Sequence, residues 1–213
     1  MSIINQMLDL LQALSSTTII ILVAGSLTFV LLVTKPIAFS IALPALYLAL
    51  AALNLETLYA PVSLVRIAVG VATSLILAVT AWQQTRHTSS VASNSGLSAR
   101  GGFLFRSLVL ILAVSLIYGL YQEAYFSIPN DLSIIFYALI IVGILLILTS
   151  VDLLRKGLGL IILLCGFESL YLSLEPGLLV ITLISIIDIF LVVAISYLSM
   201  IWGDDELVGE SDQ

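Results

Sequence analysis

The chain has few of the residues from which most active sites are built. Only 9% of its 213 residues are charged, and it contains one histidine and one cysteine. A single cysteine excludes an intrachain disulfide and makes a metal site improbable. With no histidine in any apolar segment, bis-histidine haem is excluded, as is a four-cysteine iron–sulfur centre within the chain. No GxSxG, HExxH or P-loop motif is present. We therefore expect neither of these cofactors and no catalysis by the chain alone.

Apolar residues, by contrast, are abundant. They make up 61% of the chain, and the mean hydropathy is +1.24. A soluble domain of this length could not cover so much apolar surface with so few charges. The composition predicts an all-α, polytopic bundle of transmembrane helices whose main partner is the lipid bilayer.

The number of spans follows from the bilayer thickness. A hydrocarbon core of about 30 Å needs roughly 20 apolar residues per helix. On this rule we predict seven spans, at about 14–34, 37–55, 60–81, 103–123, 131–151, 157–174 and 178–201.

One long polar segment divides the chain. Residues 83–102, QQTRHTSSVASNSGLSARGG, are rich in serine, asparagine and glycine, a composition typical of a flexible loop. The prediction is a three-span N-terminal half at 1–82, this linker, and a four-span half at 103–202. An acidic tail follows at 203–213.

The basic residues predict the orientation in the membrane. With seven spans, six of the seven basic residues fall on one side, namely Lys35, Arg86, Arg100, Arg106, Arg155 and Lys156. Positive charge is enriched in cytoplasmic loops. We therefore expect this side, the linker and the C-terminus in the cytoplasm, and the N-terminus outside the cell membrane.

Two acids lie within predicted spans. Glu168 is twelve residues after Lys156 and eight before Pro176, which is roughly 18 Å and 12 Å along a helix. The turn EPG then leads into the last span, where Asp188 lies eleven residues after Gly177, or roughly 16 Å along. Two carboxyl groups are thus expected at similar depth on antiparallel helices. The spacing does not say whether they face each other.

An acid at such a depth costs about 2.5–3.5 kcal/mol on insertion scales and is a functional hypothesis by default. Burial favours the neutral form of a carboxyl group, and a proton relay needs groups that change protonation readily. The alternative is that protonated acids merely bond backbone carbonyls and fix helix packing. Arg66, early in the third span, has three options: snorkelling outward, pairing with Glu56, or reaching a buried carboxylate.

Small residues mark one face of the sixth span. Gly159 and Gly166 are seven residues apart and so lie on the same side of a helix. We expect another helix to pack closely there.

The sixth and seventh spans resemble a known family. LRKGLGLIILLCGFESLYLSL carries a basic doublet, Arg155 and Lys156, followed by Glu168, and is similar to the NuoK subunit of respiratory complex I and related Mrp-type subunits. The plan of the chain, with Asp188 in ISIIDIFLVVAISYLSMIW, is similar to hydrogenase-4 component E. That family also has a basic residue in the third span, the position of Arg66.

The resemblance implies a cofactor-free membrane-arm subunit that conducts protons through buried acids, with antiporter-like membrane subunits as partners and no nucleic acid. Glu168, Asp188 and Arg66 would be the relay, with Arg66 adjusting the proton affinities of the acids. Membership of a membrane-bound oxidoreductase complex stays open. The alternatives are a stand-alone secondary transporter or channel, and a structural or assembly subunit.

Overall fold

The computed structural model describes residues 16–32, 36–57, 60–88, 98–122, 130–150, 152–174 and 177–209. Every regular element in this part of the chain is an α-helix, which confirms the predicted all-α class. The helices are α1 (Ser16–Leu32), α2 (Pro36–Thr57), α3 (Ala60–Thr88), α4 (Ser98–Gln122), α5 (Asn130–Thr149), α6 (Leu153–Leu174) and α7 (Leu178–Gly209).

Each of the seven predicted segments overlaps one of these helices, but three helices extend into the predicted linker or tail. Helix α3 continues to Thr88 and α4 begins at Ser98, both within the predicted linker, and α7 continues to Gly209 in the predicted tail. Bilayer thickness limits the apolar length of a span, whereas a helix can continue through polar residues with good helix propensity. Residues 89–97 and 210–213 lie outside the described part of the chain.

Four helices are long and apolar enough to cross a membrane: Ser63–Gln83, Leu104–Gln122, Leu153–Leu174 and Leu179–Ile201. Within the described ranges, three apolar helical stretches are shorter: Thr18–Leu32, Ala42–Leu53 and Ser133–Thr149. These lengths and compositions indicate a membrane protein.

Helices α5 and α6 pack with their backbones in close contact. A Cβ added to Gly143 of α5 would lie 2.9 Å from the carbonyl oxygen of Gly159, and a Cβ on Gly159 would lie 2.9 Å from that of Gly143. One added to Gly166 would lie 2.9 Å from Leu139 Cβ. The predicted role of Gly159 and Gly166 in close helix packing is confirmed.

Helices α2, α3, α6 and α7 surround the interior that holds the candidate site. Helix α3 packs against α2 and α7, and α6 packs against α7. At the α2–α3 contact, a Cβ on Gly70 would overlap Tyr47. The missing side chain of Gly70 therefore lets the Tyr47 ring lie directly on α3.

Some residues used in the predictions lie outside the described part, including Lys35 and the side chains of Glu56, Arg86 and Arg100. The division into two halves and the acidic tail stay predictions.

Candidate functional site

The three predicted relay residues meet in the interior, although each belongs to a different helix. Arg66 of α3 and Glu168 of α6 are each 2% exposed, and Asp188 of α7 is 1% exposed. With Tyr47 and Cys165 they form what we call the buried polar cluster.

Arg66 turns inward and forms an ion pair. Its Nη2 donates to Oε2 of Glu168 at 3.0 Å and to Oγ of Ser169 at 3.1 Å. Ser169 Oγ in turn donates to the carbonyl oxygen of Cys165 at 2.8 Å, which orients the hydroxyl to accept from Arg66. Of the three options that the sequence left open for Arg66, the structure contains the contact with a buried carboxylate.

Asp188 lies beside Glu168 and makes a different contact. The phenolic hydroxyl of Tyr47 donates to its Oδ2 at 3.3 Å. Its Oδ1 is buried and has no hydrogen-bond partner among the described residues. The two acids therefore face each other: one ligand atom from each of Cys165, Glu168 and Asp188 lies within 4.8 Å of the other two.

The three atoms are close enough to contact a single ion, so the structure offers a donor set that the lone cysteine did not suggest. The ion pair between Arg66 and Glu168 argues against a metal ion at this position. Glu168 already accepts from the guanidinium of Arg66 at 3.0 Å, and a metal ion would be repelled by that positive charge in a medium of low dielectric constant. We assign no metal to these residues.

Two members of the cluster were missed by the sequence reasoning. Cys165 lies three residues before Glu168, a spacing that puts both on one face of α6. Tyr47 reads as one aromatic residue among the apolar residues of α2. A buried tyrosine hydroxyl usually finds a partner, but the sequence could not say that its partner is Asp188, 141 residues away.

The basic doublet at the start of α6 does not contact the cluster in any described hydrogen bond or ion pair. Arg155 is buried, and its Nη2 donates to the carbonyl oxygens of Leu31 at 2.9 Å and Val30 at 3.4 Å. It thereby binds the last carbonyls of α1, which a helix leaves unsatisfied. Lys156 is exposed. The doublet lies at the start of α6, far along the helix from the buried polar cluster.

Comparison with known proteins identifies no relative, since no family model, no curated protein and no solved structure matches this chain. The similarity to NuoK and hydrogenase-4 component E stays a prediction. Function is therefore inferred from the geometry.

Proposed function

We propose that this chain is a cofactor-free, multi-pass subunit of a complex I-like, hydrogenase-like or Mrp-like assembly that moves protons or cations across the plasma membrane. Glu168 and Asp188 are its proton-relay groups, and Arg66 adjusts their proton affinities. The observation that carries the proposal is the placement of two carboxyl groups and one guanidinium together in a buried space between apolar helices.

The charges of the cluster support a mobile proton. One guanidinium and two ionised carboxylates have a net charge of minus one, and a single added proton makes the cluster neutral. Net charge is strongly disfavoured in a low-dielectric interior. A cluster with one added proton is therefore favoured, and the two carboxyl groups offer two acceptor sites for a proton that moves through it.

Each neighbour has a distinct part in the transfer. Arg66 stabilises the ionised form of Glu168 through the 3.0 Å contact. Tyr47 donates to one oxygen of Asp188 and so leaves the other, Oδ1, to exchange a proton. The carboxyl oxygens lie within 4.8 Å, a separation that one water molecule can bridge.

The proposed topology has seven spans, an external N-terminus and a cytoplasmic C-terminus. It is supported by the one-sided distribution of basic residues, among them Arg155 and Lys156 at the start of α6. With this topology, both Glu168 and Asp188 lie well inside the bilayer. Antiporter-like membrane subunits are the proposed partners, because the resemblance is to subunits that work only in complex.

Replacing the acids by their neutral amides tests the relay. Glu168→Gln and Asp188→Asn should abolish coupled proton movement into vesicles, followed with a pH-sensitive dye, while the subunit still co-purifies with its partners. Glu175→Gln, an acid of the EPG turn at a predicted membrane surface, is the matched control and should pump normally. Wild-type pumping by both cluster variants would overturn the proposal.

A structural role is the second candidate, and the formed ion pair favours it. A buried pair such as Arg66–Glu168 fixes how α3 and α6 pack, a use of buried charges that holds in some systems. A purely structural pair predicts that Glu168→Gln impairs assembly and proton movement together. Purification in mild detergent separates both ideas from a stand-alone transporter, which would be recovered as a lone, transport-active species.

A further inference from the structure

A second polar site lies at the opposite end of α6 from the buried polar cluster. It is a cleft of about 280 Å³ between α1, α4, α5 and the start of α6. Two arginines, Arg106 and Arg155, line it together with Thr149, Ser150 and Asp152. We refer to it as the basic cleft.

The end of α1 holds both arginines in place. Arg155 donates to Leu31 O at 2.9 Å, and Nη1 of Arg106 donates to Leu32 O at 3.4 Å. The carbonyl groups of two consecutive residues, Leu31 and Leu32, therefore hold the two guanidinium groups at one cleft. A guanidinium has five N–H donors, and within the described part of the chain the single long contact to Leu32 leaves most of those of Arg106 for another acceptor.

The other polar groups of the cleft suit an anion with several oxygens. Ser150 is 9% exposed, and its Oγ has no hydrogen-bond partner among the described residues. Such a buried hydroxyl needs a partner, and an anionic oxygen would supply one. Asp152 is the carboxylate in the lining and is exposed, so water weakens its repulsion of an anion.

The remaining wall of the cleft is apolar and continues onto the outer surface of α4. Val109 and Leu146 are buried, whereas Phe105 is 54% exposed and the adjacent Leu104 is 73% exposed. A ligand with an anionic head and a hydrocarbon body matches both halves of this lining. The cleft volume accommodates a headgroup rather than a whole lipid, whose chains would lie along α4.

We propose that the basic cleft binds the phosphate headgroup of an anionic phospholipid. Basic pockets between transmembrane helices are known to take such headgroups. The phosphate accepts from Arg106 and Arg155 and from the hydroxyl of Ser150, and the acyl chains follow the exposed apolar side of α4. The proposal does not depend on the proton relay.

The test measures lipid affinity of the full-length chain in a neutral detergent. Dioleoylphosphatidylglycerol is titrated and followed by native mass spectrometry, with dioleoylphosphatidylcholine and inorganic phosphate as separate arms. We expect dioleoylphosphatidylglycerol to bind clearly more tightly than dioleoylphosphatidylcholine or inorganic phosphate. Arg106→Gln should weaken its binding at least about tenfold, because a charge-assisted hydrogen bond is lost. Lys156→Gln removes a neighbouring exposed charge and should leave the affinity within about twofold of wild type.

Each other outcome overturns the proposal. Equal binding of dioleoylphosphatidylcholine would show that the site does not select for net negative charge, and equal binding of inorganic phosphate would show a site for free anions. An equal effect of Arg106→Gln and Lys156→Gln would reduce the site to general surface charge. Arg155→Gln could unfold the end of α1, so Arg106, with its weaker 3.4 Å contact to that helix, decides the result.

Discussion

Helix α6 has two buried faces of opposite chemistry. Glu168 lies nine residues after Gly159, about two and a half turns, and so on the opposite side of the helix. On the glycine face, backbone meets the backbone of α5. On the other face, Glu168 meets Arg66 of α3 and lies beside Asp188 of α7.

The difference between the faces separates packing from chemistry. Close contact of apolar helices is what membrane bundles commonly use for association. The polar face costs free energy, since buried charges lose their hydration. Only well-placed ion pairs and hydrogen bonds offset that loss. Because α6 already has a close apolar contact, stability alone gives no reason for a second face with charges. The polar face is therefore where function is to be sought.

Removing Arg66 should have the largest effect on stability. Arg66→Met leaves Glu168 buried without its cation, and breaking such a pair costs about 3–5 kcal/mol. The free energy of unfolding, measured by SDS titration in mixed micelles, should fall by that amount.

The double variant Arg66→Met/Glu168→Leu sharpens this result. It replaces the whole pair by apolar side chains, which is often neutral or stabilising. We expect it to regain most of the loss, and a double variant no more stable than Arg66→Met would show that the two side chains are not energetically coupled.

On the glycine face, Gly143→Ala should be the next most damaging. The new Cβ would lie 2.8 Å from the backbone nitrogen of Leu163, so α5 and α6 must move apart. Overpacking of this kind costs about 1–3 kcal/mol and should lower the unfolding free energy in the same assay while leaving proton movement per folded molecule unchanged. Gly119→Ala, where nothing lies within 4 Å of the new Cβ, is the control; equal losses in both variants would contradict the packing argument.

The smallest effect is expected for Tyr47→Phe. It removes one hydrogen bond to Asp188, and the 3.3 Å distance is long, so the loss of stability should be about 1 kcal/mol. Tyr197→Phe changes an exposed tyrosine of α7 and should have no measurable effect. If the two variants are indistinguishable in both stability and proton uptake, Tyr47 does not belong to the polar face.

Much of the architecture could be predicted from the sequence because it depends on local quantities. Apolar length located all seven helices, and the seven-residue spacing of Gly159 and Gly166 predicted their close contact. The predicted spans 60–81 and 178–201 agree with the apolar stretches Ser63–Gln83 and Leu179–Ile201. The helical extensions beyond them were not predicted, since hydropathy does not detect a helix that continues through polar residues. Tyr47 was missed because its partner, Asp188, is on a helix that lies 141 residues away in the sequence.

The sequence by itself determined that this chain is a helical membrane protein with two acids and an arginine in its apolar segments. Composition and periodicity carry that information in each segment separately. Only the tertiary structure decided that Arg66 pairs with Glu168, that Asp188 faces them with Tyr47, and that Arg155 joins Arg106 at the end of α1. Such contacts depend on the rotation of each helix about its axis, which is set by packing against all its neighbours at once.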